Sequence, residues 1–215
     1  MSERQMATTL EEVRLDHRTR YEFAIAELQR RGRLGQSGEA KGHVIDAGCG
    51  VGYGSSMLAE YAERVTSVEI SQEAHELYQQ HWSRPNIDFQ LADLTMFEVP
   101  EKVDAVVCFE FIEHIEDYMS ALRQFSTWSD LLIISTPNEA VRPHLQEPVN
   151  PFHHRHFTPE ELSECLSECG LHVHSWHCQR NGSKPQLLDG TNGKFIVAVS
   201  SSEPVESKAS VRLAS

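Results

Sequence analysis

The stretch His43-Val44-Ile45-Asp46-Ala47-Gly48-Cys49-Gly50-Val51-Gly52-Tyr53-Gly54 decides the fold of this chain. A short strand-like run, 43–47, leads straight into a glycine cluster. A glycine-rich turn after the first strand of an α/β unit lets backbone approach a ligand closely, in the crevice beyond the strand ends. The spacing excludes two common ligands. A dinucleotide fingerprint GxGxxG needs Gly at 53, where Tyr53 stands, or a small residue at 55, where Ser55 stands. The phosphate-cradling GxxxxGK[ST] is absent as well. Asp46 beside the loop would repel a pyrophosphate and suit a cation.

Outward from this loop, strand-like runs at 64–70, 87–91, 104–109 and 130–135 alternate with helix-like stretches at 53–63, 72–82 and 117–127. Such alternation predicts βαβ units and a parallel sheet covered on both faces. Upstream, residues 10–32 carry apolar residues at helical spacing up to Gly32. Downstream of Pro137, a Pro- and His-rich loop (138–157) leads to a helix opened by Thr158-Pro159-Glu160-Glu161 and closed near Gly170. Thr at the cap, Pro at the first position and Glu three residues after the cap form a capping-box signature. Two last strand-like runs, 171–178 and 194–200, are placed to pair as a hairpin at one edge.

Composition narrows the partners. The 215 residues hold 40% hydrophobic and 24% charged residues, enough for one packed domain. The formal net charge is −13, and residues 36–200 carry 24 acidic against 10 basic groups. A body this acidic disfavours nucleic acid and anionic membranes. No apolar run approaches the ~20 residues of a membrane span, and the polar start Met1-Ser2-Glu3-Arg4 does not read as a signal peptide. Five cysteines without a CxxC point to reduced thiols and a cytoplasmic protein.

Acids follow successive strands. Glu69 ends the second, where a carboxylate can accept from a ribose diol, and Asp93 follows the third, where it can accept from an adenine amino group. With Asp46 they suit a nucleoside that bears a cation and no phosphate chain, and S-adenosylmethionine has those features. Here the sequence resembles the class I S-adenosylmethionine-dependent methyltransferases, through Val44 to Gly52, Val68-Glu69, Ala92-Asp93 and Phe109-Glu110. The resemblance covers residues from about 43 to 200. It implies a Rossmann-like α/β fold with a seven-stranded sheet of order 3-2-1-4-5-7-6, strand 7 antiparallel, and helices on both faces. It also implies a cofactor set of Tyr21, Asp46, Gly48, Gly50, Gly52, Glu69, Ile70, Asp93, Leu94 and Phe109. The glycine loop would take the methionine part, and the Arg18/Arg20/Tyr21 region would close over its carboxylate.

The acceptor side shows acids and histidines. On one helical turn, Glu110, Glu113 and His114 would share a face, and the loop Asn150-Pro151-Phe152-His153-His154-Arg155-His156-Phe157 adds three more histidines. The segment Glu110-x-x-Glu113-His114 resembles ubiquinone-biosynthesis O-methyltransferases. It is also similar to the small-RNA 3′-terminal 2′-O-methyltransferases, in which two Glu and two His hold a divalent ion. The flanking acidic and aromatic residues of that RNA motif are missing. Methyltransferases of glycan and secondary-metabolite clusters are similar through Asn150-Pro151-Phe152-His153 and Phe157-Thr158-Pro159-Glu160-Glu161-Leu162. The metal set is therefore Glu110, Glu113, His114 and His153, for Mg²⁺, Mn²⁺ or Zn²⁺ rather than Ca²⁺. Without a metal, His114 or His153 is the general-base candidate.

The leading expectation is O-methylation of a small-molecule acceptor, by a monomer or homodimer. The alternatives are an RNA 3′-terminal 2′-O-methyltransferase, for which Arg142, Arg155 and Arg180 would have to form a basic patch, and a cofactor-binding module without methyl transfer. The expected division is an N-terminal helical lid (1–40), a catalytic core (41–200) and a flexible tail (201–215).

Overall fold

The computed structural model describes residues 5–146, 149–180 and 184–204. Its sheet grows from the run identified above. Strand β1 (His43–Ala47) is flanked by β2 (Arg64–Glu69) and β4 (Ala105–Phe109), with β3 (Ile87–Leu91) beyond β2 and β5 (Leu131–Pro137) beyond β4, all parallel. Strand β8 (Phe195–Ser201) lies antiparallel between β5 and β6 (His172–Gln179), and β7 (Leu188–Asp189) covers the outer edge of β6. The order β3-β2-β1-β4-β5-β8-β6-β7 is the expected one, with a two-residue eighth strand added. Sequence patterning could not register β7, because two exposed residues carry no periodicity.

Both faces of the sheet are buried, so the central strands read as continuous apolar runs. Alternate residues still face opposite sides. Val44, Val107, Ile133 and Val197 join the core under α1 (Leu15–Arg30) and α2 (Tyr53–Leu58). Ile45, Val106, Ile134 and Ile196 join the core under α4 (Tyr118–Trp128) and α5 (Pro159–Glu168). Helix α1 contributes Tyr21, Ala24, Ile25 and Leu28 at the three- and four-residue spacing of one helical face. The capping box forms as expected: Thr158 Oγ1 accepts from Glu161 N, and Glu161 Oε2 accepts from Thr158 N.

Some boundaries differ. Helix α2 stops at Leu58, and the stretch after α3 (Gln72–Leu77) widens into a π-turn over Tyr78–Trp82. The expected tail begins inside β8 at Ser201, and its residues 205–215 lie outside the described ones. All five cysteines are free, with Cys49, Cys108 and Cys178 buried.

Candidate functional site

The carboxyl ends of β1, β2, β3 and β4 open into a cavity of about 750 Å³. Its walls on the cofactor side are Gly48, Gly50, Glu69, Ile70, Asp93, Leu94 and Phe109, all expected there. Gly50 holds φ +55, and a Cβ added to it would meet nothing within 4 Å. The loop thus presents bare backbone to open space, as a closely seated ligand requires. Glu69 accepts from the backbone N–H groups of Gly50 (3.2 Å), Ile70 (3.0 Å) and Ser71 (2.9 Å), which fix its carboxylate at the rim of the loop. Asp93 accepts from the Thr95 amide (2.9 Å) and hydroxyl (2.8 Å). Ile70, 61% exposed, offers an apolar wall between the two acids.

Asp46 and Gly52 stand behind this wall rather than in it. Asp46 is fully buried, and its two oxygens accept from the hydroxyls of Tyr21 (2.9 Å) and Ser55 (2.6 Å). Burial pushes its carboxyl up to about 6, against the lowering pull of those two hydrogen bonds. Tyr21 reaches it only because residue 54 is glycine: a Cβ there would lie 1.9 Å from Tyr21 Cζ. Tyr21 also packs edge-on against Phe109 at 5.1 Å, so α1 is pinned across the cofactor crevice. The residues grouped at 18–21 diverge. Arg18 pairs with Glu22 at 2.9 Å and lies outside the cavity lining, whereas Arg20 turns toward β6.

On the acceptor side the helical-turn geometry expected for Glu110 is not formed. Glu110 sits at φ +52, the one non-glycine residue in the left-handed region among the described residues, and its N–H donates to Ser135 O at 3.1 Å. Its Oε1 accepts from Ser135 Oγ at 2.8 Å. Only Ile112–His114 forms a 3₁₀ turn, and Glu110, held by Ser135, is not among the ligand atoms that Glu113, His114 and His153 bring together. Backbone strain of this kind costs on the order of 1–3 kcal/mol and concentrates at functional sites.

Three of the four expected metal ligands do converge. One ligand atom from each of Glu113, His114 and His153 lies within 4.8 Å of the others. Glu113 is fully buried; its Oε2 accepts from Thr136 Oγ1 at 3.2 Å, while its Oε1 has no hydrogen-bond partner. Burial, then the nearby Glu110, pushes its carboxyl well above the usual range. His114 Nδ1 donates to Phe152 O at 2.9 Å, which leaves the lone pair on Nε2. The 138–157 loop is sewn onto this turn by that bond and by His154 N donating to Glu113 O at 2.8 Å.

A chain of imidazoles holds His153. Asn150 Nδ2 donates to His153 Nε2 (2.9 Å), His153 Nδ1 to His156 Nε2 (2.8 Å), and His156 Nδ1 to Arg142 O (2.7 Å), with tautomers assigned from the network, so a cation at His153 would take the Nε2 lone pair in place of the Asn150 amide. Burial, with His114 and His156 alongside, pushes His153 down to about 3 and keeps its ring neutral. Arg155 serves the loop's structure: it donates to Tyr118 OH and Glu161 and stacks over Phe157 at 4.3 Å.

Sequence reasoning did not name the cavity residues Gln5, Arg14, His17 and Phe195, and it named Arg142 only for a basic patch. None shares a spacing with the strand-end motifs. They come from the N-terminal segment, α1, the 138–157 loop and the start of β8, which only the fold brings together. Burial and the adjacent Arg20 push His17 down to about 3, and its Nδ1 lies 3.0 Å from Tyr53 OH.

A glycine loop and acids on successive strand ends around one crevice define a Rossmann-like α/β domain with a ligand crevice at the carboxyl ends of its strands. The chain belongs to the methyltransferase domain family, which matches residues 15–175. It is 34% identical over 159 residues to a probable S-adenosylmethionine-dependent methyltransferase of Mycobacterium tuberculosis, covering 72% of this chain and 57% of that one. It is 28% identical over 149 residues to the ubiquinone biosynthesis O-methyltransferase of Aeromonas salmonicida, covering 60% and 63%. The chain thus spans about three fifths of the length of these relatives. Among solved structures, the N-methyltransferase NodS of Bradyrhizobium japonicum with bound S-adenosyl-L-homocysteine superposes with a TM-score of 0.67 at 16% identity, covering 93% of this chain and 95% of that one. Among the described residues no helix is long and apolar enough to cross a membrane.

Proposed function

We propose that this protein transfers a methyl group from S-adenosylmethionine to a hydroxyl oxygen of a small acceptor, beside a divalent cation held by Glu113, His114 and His153. The observation that carries the reading is Glu113 Oε1: a fully buried carboxylate oxygen without a protein partner, within ligand distance of two imidazoles. A buried polar atom left unpaired is costly and calls for a ligand. The mixed nitrogen and oxygen donor set suits Zn²⁺ or Mn²⁺ ahead of Mg²⁺. The name of the Aeromonas relative supports an oxygen acceptor.

The cofactor would rest on Gly48 and Gly50, with Glu69 accepting from its ribose and Asp93 and Leu94 facing its base. It supplies an electrophilic methyl on a sulfonium, and the cation supplies a lowered pKa for the acceptor hydroxyl. The protein's share is alignment and exclusion of water. Tyr21 and Phe109 close the crevice from the α1 side, and residues 1–40 act as its lid. The methyl would pass from sulfur to the acceptor oxygen and the hydroxyl proton to solvent; His114 Nε2, whose lone pair the cation would occupy, is the proton acceptor only in a site without metal. His153 is a poor base because its ring is held near 3, whereas neutral imidazole is the form a metal needs.

Calorimetry with S-adenosylhomocysteine tests the cofactor site: micromolar binding to the wild type, and at least tenfold loss in Glu69→Ala. Labelled S-adenosylmethionine with catechol, in Mn²⁺ and after exhaustive chelation, tests the chemistry. Transfer that survives chelation undiminished would remove the metal from the reading. Transfer to single-stranded RNA instead of catechol would replace the acceptor class.

A further inference from the structure

Arg20 is the largest fully buried side chain in the protein, 1% exposed, and it lines the cavity. Its Nη1 donates to Gln179 Oε1 at 2.7 Å, but its Nε and Nη2 have no hydrogen-bond partner. Among the described residues no carboxylate forms an ion pair with it. Asp16 and Glu113 lie near enough to feel this charge, but neither is bonded to it, and a buried guanidinium with an open hydrogen-bonding edge is unfavourable until a ligand fills that edge. The unpaired edge identifies the ligand's shape. Nε and Nη2 form the side fork of the guanidinium, and elsewhere in this protein the same fork binds carboxylates. Arg14 grips Asp16 through Nε (3.1 Å) and Nη2 (2.6 Å), and Arg30 grips Glu27 through the same pair at 2.7 and 2.6 Å.

The fork sits on the acceptor side. Gln179 ends β6 and is locked by Nε2 donating to Asp16 O and Pro185 O. Arg20 Cζ lies 5.2 Å from the ring centroid of Phe195, the first residue of β8. Arg142, just past the end of β5, lies 5.8 Å from the same centroid and lines the same cavity. It too forms no ion pair with a described carboxylate. Phe195 pairs with Pro137, next to the Thr136 that donates to Glu113. The glycine loop leaves β1, which is three strands from β8 in the sheet. At about 4.8 Å per strand that is roughly 14 Å. Arg142 and the Phe195 ring therefore stand on the Glu113 side of the cavity, and Arg20, which acts on Glu113 as well as on His17 and Tyr53, bridges from the α1 side toward them.

We propose that the cavity selects acceptors bearing a carboxylate, received by the free fork of Arg20 with Arg142 across the Phe195 ring, so that the acceptor's hydroxyl is aimed at the Glu113–His114–His153 cluster. The proposal rests on the methyltransferase reading above and deepens it by naming the acceptor's second functional group. Arg20 and Arg142 are specificity residues. They hold charge that the acceptor neutralises, and they take no part in bond making.

The test uses 3,4-dihydroxybenzoate and 3,4-dihydroxybenzamide, which share shape and hydroxyls and differ in charge. Each is titrated into the full chain saturated with S-adenosylhomocysteine and Mn²⁺. The acid is expected to bind at least tenfold more tightly than the amide. Arg142→Gln, at a half-buried position, and Arg20→Gln should each remove most of that preference, while S-adenosylhomocysteine affinity stays within threefold. Arg20→Met should melt no lower than the wild type, because it deletes an unpaired buried charge; a purely structural arginine would show the opposite. Equal affinity for acid and amide, including failure of both to bind, overturns the proposal. So does a tenfold loss of S-adenosylhomocysteine affinity in Arg20→Gln, which would assign the fork to the cofactor's own carboxylate. Failure of the wild type to bind S-adenosylhomocysteine would instead overturn the underlying methyltransferase reading.

Discussion

Glu113→Gln separates a metal-binding carboxyl from one that is merely buried. In the wild type Oε1 has no partner in a fully buried setting, a desolvation cost on the order of 1–3 kcal/mol that a cation would relieve. The amide preserves shape and can still accept from Thr136 Oγ1, but it is a weak, neutral ligand. A cation at 100 times its Kd stabilises the folded state by about 2.7 kcal/mol. For a domain of this size each kcal/mol moves Tm by about 2–4 °C, so Mn²⁺ or Zn²⁺ should raise the wild-type Tm by about 5–11 °C over a chelated sample. Glu113→Gln should gain less than about 2 °C on the same scale, and its chelated form should melt close to or above the chelated wild type. Scanning fluorimetry over a metal series reads all four curves. Equal gains in both proteins, or no gain in the wild type, would refute the assignment and leave Glu113 as a carboxyl that only anchors its turn to Thr136.

Three further outcomes follow from named contacts. Asp46 keeps its proton to about 6 in the folded chain but would lose it near 3.8 when unfolded, so stability from this group falls as pH rises from about 4 to 6. The 2-unit gap corresponds to roughly 3 kcal/mol, and Asp46→Asn should flatten that part of the stability–pH curve measured by urea titration. Gly54→Ala places a methyl 1.9 Å from Tyr21 Cζ, and the ring must leave Asp46. Overpacking of about 1–3 kcal/mol should appear as a lower urea midpoint together with weakened S-adenosylhomocysteine binding. Thr158→Ala removes the cap of α5, and a loss of about 1 kcal/mol should lower Tm by a few degrees without altering cofactor affinity.

The fold was legible because its signals are local. Each central strand is a short apolar run, and the acids at 69 and 93 stand where such runs end, at β2 and just after β3. The capping box at Thr158 was readable for the same reason: its two hydrogen bonds join residues three apart. The site was less legible where one residue's backbone conformation redirects its neighbours. Glu110 occupies the left-handed region, so the face expected of Glu110, Glu113 and His114 dissolves and Glu110 turns to Ser135. Asp46 was read as facing a cation, and the fold gives both its oxygens to Tyr21 and Ser55.

By itself, then, the sequence determined the α/β sheet, the glycine loop, the acids at the strand ends and the pairing of Glu113 with His114, since period, spacing and composition act over a few residues. Tertiary structure alone decided which acids face solvent-filled space and which face protein. It carried His153 to Glu113 through the loop bonds of His154 and Phe152. It also parted Arg20 from its neighbour Tyr21, sending one to Gln179 on β6 and the other to Asp46 on β1. Adjacent residues on a helix point about 100° apart, and only the surfaces α1 packs against determine what each one meets.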